Sequence, residues 1–175
     1  MKPSTLSWST VAAWLGLGTV AVALSTPALA ANYIQTKSID FAGSACAAAS
    51  VRSSGNTDTI FIFSQWKTVG NDRAHCSISI PVKVPNGMQV GLPTVTYKGT
   101  STPALLTSEV FFAGDLTTAK KLNVKNTFTK TDKTIAWSGC GEDVNIRLNA
   151  ALMTDYGTGK ISSITLSKLP TRRCQ

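Results

Sequence analysis

The chain has 175 residues, with 17 Lys and Arg against nine Asp and Glu, one histidine and a formal net charge of +8. A single imidazole excludes metal or catalytic sites built on two histidines. Nine thinly spread acids, of which only Glu142 and Asp143 are adjacent, argue against a pair of facing carboxylates.

Residues 1–10 hold one charge, Lys2; residues 11–24 form an uncharged, mostly apolar run, and Ala28-Leu29-Ala30 comes after it. A weakly basic start, an apolar stretch too short to span a bilayer and an A-x-A end predict a secretory signal over residues 1–30. No basic stop-transfer cluster comes after it that would make it an anchor, and no later segment is apolar enough to cross a membrane. The remaining 175 − 30 = 145 residues suit one secreted domain, residues 31–175, placed outside the cell or in the periplasm. A chain of that length buries roughly 68–70% of its unfolded surface. Without Lys2 its formal charge is +7, which favours anionic partners. All four cysteines, Cys46, Cys76, Cys140 and Cys174, lie beyond the signal, where an oxidising compartment favours disulfides.

Period two dominates residues 31–175. Strands are expected at residues 34–41, 48–53, 59–66, 76–84, 89–98, 109–112, 121–128, 134–137, 143–152 and 160–169. Within 76–84 and 143–152 apolar side chains fall on alternate positions, as in half-buried strands, whereas residues 59–63 are apolar on both faces. Turn chemistry separates the runs: Val69-Gly70-Asn71-Asp72, Pro85-Asn86-Gly87, Ala113-Gly114-Asp115, Thr131-Asp132-Lys133 and Tyr156-Gly157-Thr158-Gly159. Residues 116–121 are the one stretch with room for a short helix. Ile161 is out of phase with Ile164 and Leu166, which predicts a bulge near Ser162-Ser163. Lys121 and Lys125 point outward, with Lys120, Lys130 and Lys133 near the strand ends, the pattern of a blunted sheet edge. Pro81 needs an edge or a bulge for its missing N–H, so these two strands are expected to bound the sheets.

Four cysteines allow three connectivities. An up-and-down trace of the strands puts Cys46 with Cys76 at one end and Cys140 with Cys174 at the other; a Greek-key crossover would break that parity. Each pairing closes a loop of about 30 residues, worth about 3–4 kcal/mol in the chain-entropy model.

A series of short motifs runs in order along the chain. It opens with Asp40-Phe41-Ala42-Gly43-Ser44-Ala45-Cys46, then a cysteine-led strand from Cys76 to Val90 with Pro85-Asn86-Gly87, and Tyr97-Lys98-Gly99. It continues with Phe111-Phe112-Ala113-Gly114, Trp137-Ser138-Gly139-Cys140-Gly141, Asn145-Ile146-Arg147-Leu148 and Arg172-Arg173-Cys174. Together they resemble the small secreted proteins of domain-of-unknown-function family 4360. Ala45 and Ala47 depart from that pattern, which tends to Gly and Pro there. The resemblance implies secretion and a β-rich fold, and no activity.

No constellation of catalytic, cofactor or metal residues emerges. Cysteine gaps of 30, 64 and 34 residues are not zinc spacing. His75 and Cys76, as strand neighbours, point to opposite faces. Gly43-Ser44-Ala45 lacks the G-x-S-x-G elbow of a serine hydrolase. Lys and Arg are scattered and not interleaved with aromatics, against dedicated nucleic-acid readout. Trp66 ends a strand beside Lys67 and a polar loop carrying Arg73 and His75. An exposed Trp66 would make these four side chains a sugar-binding surface; burial, the commoner fate of a strand-end tryptophan, would make it core. The expectation is therefore an all-β, antiparallel β-sandwich of about 8–10 strands with two disulfides. Its expected role is a non-catalytic one, binding or structuring an extracellular or envelope component, with anionic polysaccharide the leading candidate. An inhibitor-like interaction module and a small secreted hydrolase are the alternatives.

Overall fold

The computed structural model describes residues 33–46, 49–54 and 58–175; the predicted signal over residues 1–30 lies outside them. Among the described residues eleven strands come after a 3-10 turn at Thr36–Ser38. They are β1 (Asp40–Ala42), β2 (Ala49–Ser54), β3 (Asp58–Phe63), β4 (Lys67–Val69), β5 (Asp72–Val82), β6 (Met88–Val90), β7 (Val95–Phe112), β8 (Lys120–Asp132), β9 (Val144–Thr154), β10 (Thr158–Leu166) and β11 (Thr171–Arg173). Nine form one antiparallel sheet in the order β1-β5-β9-β7-β10-β3-β2, with β4 on β10 and β8 on β7; β6 and β11 form a separate pair.

Four long chain segments build the large sheet, and each is interrupted at the same level. Val69 pairs with Thr158 and Asp72 with Thr154, so residues 70–71 lie opposite residues 155–157. Strand β7 pairs Ser101 with Gly159 and Ala104 with Thr154, and β8 shifts register opposite Ser101 and Ala104. These breaks form one line across the sheet. Asn126, with φ 56, marks it on β8, and Gly70 and Gly157, both at positive φ, mark it on the other segments. Along the line the sheet folds over, and its halves face each other as a nearly closed sandwich. Hydrogen bonds hold the fold line: Gly70 N–H donates to Gly157 O at 2.7 Å and Thr154 Oγ1 to Gly70 O at 2.8 Å.

The alternation seen in the sequence sets which side chains enter the sandwich. Ile78 and Ile80 from β5, Ile146, Leu148 and Leu152 from β9, and Leu106 from β7 face Phe61, Ile161, Ile164 and Leu166 from the other half, all fully buried. Burying a side chain of this size contributes about 1.5–3 kcal/mol. The expected bulge is present as a register shift between Ile161 and Ser163, and it brings Ile161 into phase with Ile164 and Leu166.

The halves are also joined by a buried polar chain. Tyr97 Oη and Ser108 Oγ lie 2.6 Å apart, Ser108 Oγ donates to Asp132 Oδ2 at 2.6 Å, and Lys120 Nζ pairs with Asp132 Oδ1. Asp132 is 2% exposed, and burial pushes the Tyr97 hydroxyl well above its ordinary pKa.

Both expected disulfides are present, Cys46–Cys76 and Cys140–Cys174. The first arises from strand pairing: β1 lies on β5 with Ala42 opposite Ser77, which carries the next turn to Cys76. The second is anchored on β6, since Gly141 N–H donates to Met88 O and Cys174 N–H to Gly87 O.

Several elements differ from expectation. Of the expected strand at 34–41 only Asp40 and Phe41 are strand, within β1; Ile34 makes a single bridge to Val82, and the turn between them bulges out opposite Pro81. Pro81 therefore does not mark an edge strand, because β5 lies between β1 and β9; its missing N–H falls where β1 has stopped. The edge role of β8 holds, since among the described residues it pairs only with β7. The strand expected at 59–66 ends at Phe63, with β4 a separate strand after Trp66, and the one at 134–137 is a single bridge from Trp137 to Gly91. Residues 116–119 are not helical, and β8 starts at Lys120. The expected strand 89–98 divides, its start falling in β6 and residues 95–98 opening the 18-residue β7, which continues through residues 99–108 and takes in the expected strand 109–112; the expected strand 160–169 ends at Leu166, and β11 lies beyond it.

Candidate functional site

The fold line creates two grooves on the surface. The larger, about 800 Å³, is lined by Pro103, Leu105, Lys125, Lys130, Met153 and Asp155 among others. The second, about 470 Å³, runs over β4, β10 and β7 past Lys67, Val69, Thr100 and Lys160. Thr127 lines both, so the two meet on β8. Tyr156 is 87% exposed and lies in the loop between Asp155, on the first groove, and Thr158, on the second. Its backbone carbonyl accepts from Thr102 Oγ1 at 3.0 Å, which fixes the loop beside Pro103. Gly157 allows the tight approach, because its φ is +95 and a Cβ there would meet the Thr102 side chain at 2.6 Å.

Charge is one-sided in this composite groove. Lys67, Lys125, Lys130 and Lys160 line it against a single acid, Asp155, a formal balance of 4 − 1 = +3. Thr100, Thr127, Thr129 and Thr158, with Asn123 and Asn126, supply neutral donors and acceptors between the lysines. Val69, 69% exposed, and Tyr156 are apolar surface on the same line.

The four side chains singled out in the sequence do not share a site. Trp66 is fully buried, its ring edge-on to Phe63 with centroids 4.9 Å apart, and its indole N–H has no hydrogen-bond partner among the described residues. That burial leaves no ring face for a sugar. It arises because Trp66 O accepts from Ile161 N–H at 3.1 Å, which turns the side chain inward beside the bulge of β10. Lys67 lines the fold-line groove, whereas Arg73 and His75 line a separate trough of about 310 Å³ on the opposite half of the sheet. No period or motif pointed to Tyr156; its Y-G-T-G context read only as a turn.

Ser44 Oγ lies 3.5 Å from His75 Nδ1, a serine beside an imidazole. The pair is exposed, and no acid contacts the other ring nitrogen among the described residues. A hydrolytic triad needs that third group to orient the imidazole. Among the described residues no cluster of His, Cys, Asp and Glu is suited to a metal, and no helix is long and apolar enough to cross a membrane.

The chain belongs to the DUF4360 family, a domain of unknown function, whose model matches residues 32–172 and thus takes in Cys46, Cys76 and Cys140. No curated protein sequence matches the chain. Among solved structures, TmCBM61 in complex with β-1,4-galactotriose is similar at 12% identity, covering 83% of this chain and 100% of that one, with a TM-score of 0.40. A CBM4 structure is similar at 14% identity over 78% of this chain and 86% of that one, TM-score 0.29. A Family 16 Carbohydrate Binding Module-2 is similar at 12% identity over 80% and 90%, TM-score 0.24. All three fall below a TM-score of 0.5 and settle neither topology nor ligand for this chain.

Proposed function

We propose that this protein is a secreted, non-catalytic binding domain that holds an anionic polysaccharide along the fold-line groove. The observation that carries the reading is the lining of that groove: four lysines and one acid beside an 87% exposed tyrosine. A sugar ring presents an apolar face to an aromatic side chain, while its carboxylates need cations and its hydroxyls need neutral partners. All three are supplied in one place here. Two disulfides suit an oxidising compartment and support placement outside the cytoplasm.

The test is retardation of the protein in gels containing polygalacturonate, with the carboxyl-reduced form of the same polymer as the neutral comparison. Retardation by the acidic polymer is expected to fall steeply with added salt. Lys67→Ala with Lys160→Ala, and separately Tyr156→Ala, should each weaken it about tenfold, a loss of about 1.4 kcal/mol. Equal retardation by the carboxyl-reduced polymer would sink the reading. So would full retention of binding in the double lysine variant.

A further inference from the structure

A second trough lies on the outer face of the other half, where β9 runs between β5 and β7. Ala151 is paired with His75 on one side and Thr107 on the other; one step along, Asn149 is paired with Ser77 and Glu109. A methyl group is therefore the floor between two taller walls, and the hollow has a volume of about 310 Å³. The β5 wall carries Arg73 and His75, the β7 wall Glu109. Lys121 pairs with Thr107 one strand further out and does not line the trough.

Both walls are held in place by the fold. His75 is clamped by the turn that leads to the first disulfide: its carbonyl accepts from Ala45 N–H at 2.9 Å, and its N–H donates to Ser44 Oγ at 3.4 Å. Gly43, at φ +123, passes so close that a Cβ would lie 2.5 Å from His75 O. Ser44 Oγ sits beside Nδ1, which leaves Nε2 without a partner among the described residues. Glu109 Oε2 accepts from Asn149 Nδ2 at 3.1 Å, and its Oε1 has no partner among the described residues. No acid pairs with the Arg73 guanidinium among the described residues.

We infer that this trough binds the two charged ends of a short, unblocked peptide, its carboxylate at Arg73 and His75 and its ammonium at Glu109. The span decides the length. Two strand spacings separate β5 from β7, about 10 Å, and Glu109 is displaced from His75 by two residues along the strand, about 7 Å, a diagonal of about 12 Å. The binding groups reach inward from that backbone diagonal, Glu109 towards Asn149 on β9, and a dipeptide of about 7 Å suits the shorter gap between them. A polymer without free ends has nothing for Glu109 to hold.

The probe is L-alanyl-L-alanine titrated into the 15N-labelled protein, beside its N-acetylated and C-amidated forms. The unblocked peptide should give saturable shifts at His75, Asn149 and Ala151, with either block weakening binding about tenfold, the loss of one charge-assisted contact. Glu109→Gln should abolish the penalty for acetylation and keep that for amidation; Arg73→Gln should do the reverse. These surface variants should melt with the wild type and retain polygalacturonate binding, so this inference and the polysaccharide reading stand or fall separately. Equal shifts from all three peptides, or none that saturate with the unblocked one, would overturn it.

Discussion

The hydroxyls of Tyr97 and Ser108 lie 2.6 Å apart although both residues belong to strand β7, eleven positions from each other. Eleven steps of extended strand cover about 36 Å. The contact exists only because the strand folds over at Thr102-Pro103, between the register steps at Ser101 and Ala104. Lys120 and Asp132 repeat the relationship at the two ends of β8. The chain Tyr97–Ser108–Asp132–Lys120 is thus a clasp across the open side of the sandwich.

Ser108→Ala should cost about 1–3 kcal/mol, because it strands a buried phenol and a buried carboxylate oxygen together. Urea midpoints of Ser108→Ala, Tyr97→Phe and the double variant should show a coupling above about 0.5 kcal/mol. Additive effects would mean that the clasp does not act as a unit.

Tyr97 also sets an alkaline limit. Burial raises its pKa in the folded state above the ordinary value of 10.0, so its contribution is complete below that value and is lost as pH rises towards the folded one. Above pH 10.0 the unfolded chain releases the proton first, and stability should fall by up to about 1.4 kcal/mol per pH unit. Denaturation of wild type and Tyr97→Phe at pH 8, 10 and 11 checks this: the variant should have the shallower alkaline limb, and parallel limbs would count against it.

Gly99→Ala should be among the costliest small substitutions. A Cβ there would collide with the carbonyl of Lys160 and come within 2.7 Å of the Phe128 ring. Neither can move without disturbing β10 or β8, and about 1–3 kcal/mol is the usual cost of such overpacking. A melting temperature within a degree of wild type would show that the approach of β7 to β10 relaxes freely.

Trp66→Ala should lower stability by about 3–5 kcal/mol, the range for emptying a buried aromatic site. Trp66→Phe should cost much less, since the indole N–H has no hydrogen bond to lose among the described residues. Tyr156→Ala, with its ring in solvent, should leave the melting temperature unchanged. If the Phe variant proved as damaging as the Ala variant, the indole N–H would have to make a contact of consequence.

Fold class, the disulfide pairing, the bulge of β10 and the edge at β8 were legible because each depends on neighbours in sequence or on strand parity. Period two decides which side chains face inward, an out-of-phase isoleucine demands an extra residue, and unpaired backbone invites lysines. The long β7 was not legible: its expected pieces stopped at residue 98 and resumed at 109, and only the folded chain shows Gly99 as a close approach and Pro103 on the fold line.

By itself the sequence determined a β-rich chain with four cysteines, a basic surface and one imidazole. Only the tertiary structure decided where the sheet folds over, and with it the fate of each candidate side chain. Trp66 went into the core, Lys67 to one half, Arg73 and His75 to the other, and Tyr156 to the crest between two grooves. Those placements depend on pairings such as Val69 with Thr158 and Ala104 with Thr154, between strands far apart in the chain. No local pattern encodes such pairings, because the contacts that select them form only when the whole sheet assembles.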